Sequence, residues 1–595
     1  MSKTHEDNLG SELRPTRLAA VAHAARRSYP LTLWLTLAAC PGPGQEPAET
    51  ASEPAPSSTS GTTSTSETAT GTTGESTTGE PTTTTTGEST TGGPTETLTR
   101  VLYHPYTPDG VPNSASAVRS IDIVDGVPMS PVTVLDPPTP LANAPLFVLE
   151  HRWQPYFTGP FDAPRLWLVD TESSTSHEVA LPPEVDRVGD TFFSRQDRYL
   201  LALTHPPGSY ADIYYFCEIG PTGECALQLF DPPLGRNSYP AKIIAMGASG
   251  RIWYRTQEKG VDAEDVLQVD LATPDAPVLL HTFTLDANGG SAPSLDEKTM
   301  YFGFEDGRLM ARDVSIDPPG PLVELIPPVE AKKSLWSDDE KDIVMHVSSG
   351  DWGDLFHVSI DGTSAGPMVQ LNTGAPSNTF WKHLQWISDK RVLYLTDFGA
   401  PGTTRLYMAD TKTPDAPPQQ VSGSLPLTGS VESAMVLADP THALYLARQT
   451  EDGADDLYRA SLDPPGEAHK LNGPLAAGES VPGYLCDATS DGTRVLYGRR
   501  TEADGPDRHD VFLVNFDGEV PLPPVNLSSA LPDGIDGNNG GRFSADGTLV
   551  FFGGASSDGH YGPLYMVKLS PEIGPPVQIS DPGEAILSYF VLPAK

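Results

Sequence analysis

Downstream of residue 98 the chain repeats one pattern. A run of four to six apolar residues is followed by a polar turn rich in Asp, Gly, Pro or Ser, and then by another apolar run. Runs this short, bounded by turn residues and rich in Val, Leu, Tyr and Phe, predict β-strands. The segments "DLFHVSIDGTSAGPMVQLN", "RLYMADTKTPDAPPQQVS", "DLYRASLDPPGEAHKLN", "DVFLVNFDGEVPLPPVNLS" and "PLYMVKLSPEIGPPVQIS" can be superposed. Each is a strand, a turn and a second strand that ends near Leu, Val or Ile followed by Ser or Asn. Another strand pair precedes each of them, as in "LCDATSDGTRVLYGRR" and "GRFSADGTLVFFGG". Weaker copies are "TFFSRQDRYLLAL", "APSLDEKTMYFGF" and "SLWSDDEKDIVMHV".

The unit is therefore four short strands. The first apolar residue of its third strand marks ten copies: Val118, Leu166, Ile213, Val266, Leu309, Leu355, Leu406, Leu457, Val511 and Leu564. They are spaced by about 43 to 54 residues. A four-stranded unit of this period predicts a β-propeller, because one small twisted sheet buries both of its faces only by stacking against its neighbours. The expected fold class is all-β, as one large ring or two linked rings. The first unit, Val101 to Leu135, lacks a first strand, whereas the chain ends in the unpartnered apolar run "AILSYFVLP". A terminal strand completing the first blade would close the ring and remove its exposed edges.

"FSADGTLVFF" (Phe543–Phe552), "TSDGTRVLY" (Thr489–Tyr497) and the following "DVFLVNFDG" and "PLYMV" strands resemble the TolB-type propeller repeat, a relative of the WD repeat found in bacterial envelope proteins. The resemblance spreads over most of residues 99–595. It implies a propeller and an envelope setting, and leaves the activity open, because propellers host many unrelated functions.

The N-terminal part reads differently. The apolar run from Tyr29 to Ala39 is too short to span a bilayer, which takes about 20 residues. Arg26 and Arg27 precede it and Ala38 and Ala39 close it, as in a secretion signal. Leu37-Ala38-Ala39-Cys40 resembles the bacterial lipobox, which implies lipidation of Cys40 and removal of residues 1–39. Residues 40–98 are rich in Thr, Ser, Gly and Pro and nearly devoid of apolar side chains, so they are expected to form a disordered linker. The expected division is a signal peptide at 1–39, the linker at 40–98 and the propeller at 99–595. Pro41 is not the Asp associated with inner-membrane retention, so the outer membrane, on its periplasmic or surface side, is the expected address.

Net charge changes the list of partners. At −40 the chain is poorly suited to nucleic acid. Of four cysteines, Cys217 and Cys225 flank "EIGPTGE" and are expected to form a disulfide across a hairpin in an oxidising compartment. Cys486 reads as a small buried hydrophobe.

Candidate chemistry is sparse. A hydrolase partner domain would need a nucleophile elbow in a βαβ setting, and no βαβ pattern is present. His346 and His357 fall on neighbouring strands of one unit near Asp351 and Asp354, a combination able to hold a metal; a packed slot on a blade is the plainer explanation. "DGIDGNNGG" (Asp533–Gly541) offers oxygens that calcium favours, although it lacks EF-hand spacing and reads as a loop between blades. Asp361, Asp491, Asp517 and Asp546 read as turn residues. Trp153, Tyr156 and Phe157 are placed in a long loop, either as binding anchors or as a plug. No cofactor is expected. The function expected is a lipid-anchored envelope scaffold that binds an envelope protein or a cell-wall glycan without catalysis. The alternatives are a propeller-type polysaccharide lyase or hydrolase, or a lectin-like surface adhesin.

Overall fold

A computed structural model describes residues 98–592, apart from connecting segments, the longest being 106–116, 137–150 and 231–241. Residues 1–97, and with them the signal segment, Cys40 and the linker, lie outside the described residues.

The described chain is all-β, with no helix, and its strands form ten sheets. Sheets are numbered here as blades in chain order. Blade 6 shows the plan: Ala331–Trp336, Asp342–Ser349 and Trp352–Asp361 run antiparallel in sequence order, and the short pieces Ser364–Ala365 and Val369–Gln370 form the outer edge. Blade 2 is the exception, with three strands (Trp153–Thr158, Arg165–Asp170 and Thr175–Val179) among the described residues. Central strands bury both faces; Arg405–Asp410 of blade 7, for example, is buried at every position but the last. This is why such strands read as continuous apolar runs rather than as alternating ones.

One ring results. Each of ten apolar clusters draws its buried residues from two successive blades, from Val169 and Leu102 between blades 2 and 1 to Leu496 and Val550 between blades 9 and 10. The series closes with Phe551 and Leu564 of blade 10 packed on Val101 and Ile121 of blade 1. Closure is made by the C-terminal strand. Ile586–Leu592 pairs antiparallel with Leu98–Pro105, with Val101 opposite Val591 and Tyr103 opposite Tyr589, and so supplies the missing first strand of blade 1. Tyr589 also donates its hydroxyl to Phe551 O at 2.9 Å, which ties this strand to blade 10. On the other side, the buried His104 imidazole lies 2.7 Å from Ser588 Oγ and 3.0 Å from the Tyr156 hydroxyl of blade 2.

The repeat visible in the sequence has a packing cause. In blades 7 to 10 the second and third strands place two aromatics directly opposite each other: Tyr394 and Tyr407, Tyr445 and Tyr458, Tyr497 and Phe512, Phe552 and Tyr565. Tyr445 and Tyr458 stack at 5.2 Å between ring centroids, as do Tyr497 and Phe512. Such pairs add about 0.5–1.5 kcal/mol beyond the area they bury. The Ser or Asn ending each strong copy is a second constant. The side chains of Asn372, Ser422, Asn472, Ser528 and Ser580 accept hydrogen bonds from the backbone N–H of Leu355, Leu406, Leu457, Val511 and Leu564, which are the marker residues of blades 6 to 10.

Two expectations are corrected. Trp153, Tyr156 and Phe157 lie on a strand paired to Arg165–Asp170, and Trp153 and Tyr156 are buried core rather than loop anchors. Ile535–Phe543, which covers most of "DGIDGNNGG", is the innermost strand of blade 10, with an irregularity between Asn538 and Gly541. Its glycines allow close packing: a Cβ on Gly541 would meet Leu496 Cδ1 of blade 9 at 2.8 Å.

Candidate functional site

The turn between the first and second strands is built by one motif. In blade 10, Ser544 Oγ donates to Asp546 Oδ1 at 2.5 Å, and Asp546 accepts the Thr548 N–H at 3.1 Å. The same bonds recur from Thr489 to Asp491, Ser294 to Asp296 and Ser337 to Asp339. The residue after the Asp adopts a left-handed backbone. It is Gly547 and Gly492 in blades 10 and 9, where φ is +67° and +66°, and glycine enters this region at no steric cost.

In blades 5 and 6 that place holds Glu297 and Glu340, with φ of +59° and +55°. An L-residue there costs about 1–2 kcal/mol, so a compensating interaction is expected, and one is present. Glu340 accepts the Leu295 N–H of blade 5 through Oε2 at 2.6 Å. Glu297 accepts the Ser249 hydroxyl and N–H of blade 4. Asp197 of blade 3 and Lys390 of blade 7 share the backbone conformation and also reach backward, to the His151–Arg152 segment and to Asp342. Where glycine is replaced at this turn, the side chain becomes a strut to the preceding blade.

Between the turns of blades 5 and 6 lies a cleft of about 470 Å³. Asp296, Asp313, Asp339, Glu340 and Asp361 line it, with Lys298 and Lys341 as the only cations among its described lining residues. Leu295, 44% exposed, gives it an apolar lip. Tyr301 lies at its base, 3% exposed, with its ring 4.7 Å from that of Trp336. Burial pushes its phenol well above the ordinary range, and the charges of Glu340, Asp296 and Asp361 push the same way. Burial would raise the Asp296 carboxyl, but the bonds from Ser294 and Lys298 outweigh it and hold the group below its ordinary value. Ser315 lowers Asp313 similarly.

The cleft lies on the same rim of the ring as Leu98, the first described residue. Leu98 pairs with Val124, immediately before the Asp125–Gly126 turn between the third and fourth strands of blade 1. Asp361 and Gly362 occupy the corresponding turn of blade 6. A second polar junction on this rim joins blades 8 and 9: His442 lies 3.0 Å from Asp439 Oδ2 and 2.8 Å from Glu519 Oε2. Its hydrogen bond, followed by burial that opposes it and the nearby charges of His442 and Arg459, holds Glu519 below the ordinary range.

His346 stands opposite Leu355 and His357 opposite Val344, two register positions apart. His357 Nε2 lies 2.7 Å from Asp342 Oδ1, and Asp342 also meets Lys390 at 3.0 Å. Burial raises the Asp342 carboxyl, but these partners outweigh it and keep the group ionised. Asp354 accepts from Gln370 and Asn372 instead. No cluster of three or more His, Cys, Asp or Glu suited to a metal occurs among the described residues. Asp536 of the glycine-rich strand pairs with Arg508 at 3.1 Å.

Cys217, on the third strand of blade 3, is bonded to Cys225 in the loop that follows, with Cα atoms 5.5 Å apart. The Cys217 side chain packs between blades 2 and 3. Cys486 starts a short strand of blade 9, and its side chain lies outside the described residues.

Sequence reasoning missed Tyr301 and Glu340. The signal was present in "SLDEKT" and "SDDEKD", where Glu replaces the Gly of "SADGT". It also missed Gly362-Thr363-Ser364-Ala365-Gly366, which has the Gly-x-Ser-x-Gly spacing. That string is a hairpin in which Asp361 pairs with Ser364, not the strand-to-helix turn of a nucleophile elbow.

No protein-family model matches the chain, and no curated protein matches it. Solved structures similar to it include a eukaryotic initiation factor, at 11% identity over 84% of this chain and 99% of the other, with a TM-score of 0.42. A prolyl endopeptidase matches at 14% identity over 62% of this chain and 54% of its own, with a TM-score of 0.32. Prolyl oligopeptidase B from Galerina marginata matches at 10% identity over 62% and 56%, with a TM-score of 0.30. The chain spans about half the length of the prolyl peptidases it matches. The propeller assignment rests on the sheet order and the closed series of cores described above.

Proposed function

We propose that this protein is a cell-envelope binding module: a propeller on a flexible tether, anchored by lipid at Cys40, that holds a partner protein or a cell-wall component without chemical turnover. The observation that carries the reading is the acidic cleft between blades 5 and 6, lined by the turns of the two blades. Three features support the setting: the lipobox-like Leu37–Cys40, the resemblance of the repeat to the TolB type, and the Cys217–Cys225 bond, which suits an oxidising compartment.

Crosslinked capture from native membranes, with the full chain as bait, tests the binding role. A reproducible envelope protein, or retention on cell-wall material, is the expected result; recovery of neither would overturn it. Cys40→Ser should release the chain from membranes, and retention of that variant would remove the anchor.

A further inference from the structure

The cleft between blades 5 and 6 combines features that an acidic surface patch lacks. Tyr301 is almost wholly buried, yet its hydroxyl makes no hydrogen bond among the described residues and opens onto the cleft. A phenol oxygen at the floor of a cleft is open to accept from a ligand that enters it. The charges of Glu340, Asp296 and Asp361 act on this hydroxyl, and the lining holds five carboxylates against the two ammonium groups of Lys298 and Lys341. Asp361 carries no ion pair among the described residues, whereas Asp296 uses one oxygen on its own turn and the other on Lys298 at 3.4 Å, and Asp339 spends one oxygen on its own turn. Beside these groups, Leu295 presents an exposed apolar side chain, and its backbone is fixed by Glu340.

A bare metal ion would use the carboxylates and leave Leu295 without a role. A cation at the end of an aliphatic stem uses both, since such stems lie along apolar surface while the charged head meets its partners. We propose that this cleft binds a protonated primary amine on an aliphatic chain, with the ammonium donating to the Tyr301 hydroxyl oxygen and to Asp361, and the methylenes lying on Leu295. The inference rests on the reading of the protein as a binding module and names the chemistry that one of its sites selects. A free diamine and a lysine side chain of a partner protein both present this group.

The test is calorimetric titration of the full chain with 1,5-diaminopentane, with a lysine-containing peptide and with the same peptide acetylated on its lysine. One saturable site is expected for the diamine or the unmodified peptide, and none for the acetylated one. The better-bound probe tells which source the site serves. Tyr301→Phe retains the ring against Trp336, and Asp361→Asn changes an exposed turn, so both variants should unfold as the parent does. Each should weaken binding roughly tenfold, the loss of one charge-assisted hydrogen bond. No saturable binding of either amine, equal binding by parent and both variants, or displacement of the amine by equimolar calcium would overturn the proposal. A partner captured from membranes equally by parent and variants would remove this site and leave the binding-module reading standing. Amine binding with no partner captured would do the reverse.

Discussion

Asn472 accepts the backbone N–H of Leu457 through Oδ1 at 2.8 Å and donates Nδ2 to Asp456 Oδ1 at 2.9 Å. One buried amide thereby pins the outer strand of blade 8 to the start of its third strand. Asn472→Ala leaves a buried donor and a buried carboxylate oxygen without this partner. A loss of about 1–3 kcal/mol is expected, read as a shift in the urea midpoint. Asn472→Ser, the residue used by blades 7, 9 and 10, should recover part of it. Equal loss in both variants would show that the side-chain oxygen is not what matters.

The Glu340 strut separates backbone strain from bonding. Glu340→Ala keeps the left-handed backbone and loses the bond to Leu295, so it should cost about 1–2 kcal/mol. Glu340→Gly loses the same bond but relieves the strain, and should be the milder change. An alanine variant as stable as the glycine variant would contradict the compensation argued for these turns.

Burial at the ring seam pushes His104 down to about 3. The unfolded chain takes up a proton near pH 6.5 that the folded chain refuses. The stability this site provides is therefore complete above pH 6.5 and is lost as the pH falls from 6.5 toward 3, by up to about 1.4 kcal/mol per unit. His104→Gln should be less stable than the parent at pH 7, because the bonds with Ser588 and Tyr156 are disturbed, with the gap narrowing by pH 4.5. Denaturant unfolding at the two pH values measures this, and an unchanged gap would mean that His104 is not held neutral.

Removal of residues 586–595 takes away the first strand of blade 1 and uncovers Val101, Leu102 and Tyr103, all buried in the intact ring. The loss of so many apolar contacts should abolish a single cooperative thermal transition or lower its midpoint by about 5 °C, as expected for several kcal/mol in a ring of this size. Unchanged unfolding by calorimetry would refute closure through this strand.

From the chain alone come the strands, ten marked repeat units and the expectation that the last strand completes the first blade. Each of these is written locally: apolar runs bounded by turn residues, aromatic pairs such as Tyr445 and Tyr458 at a fixed offset, and an unpartnered terminal run. Nine of the ten markers fall on third strands, and Leu166 falls on the central strand of the three described in blade 2. The turn aspartates were legible for the same reason, since Asp491 and Asp546 bond to residues two positions away. The tertiary structure alone decided that there is one ring, because that depends on Phe551 meeting Val101 from opposite ends of the chain. It set the partner of His357, which meets Asp342 of the neighbouring strand, a matter of strand register. It decided that Tyr156 is core, since burial depends on the neighbouring blade. It also assembled the cleft: the Glu at the turn is legible in "SDDEKD", but Tyr301 and Glu340 lie 39 residues apart and come together only between stacked blades. Short-range order is carried by neighbouring residues, whereas a site between blades exists only once separate sheets have stacked.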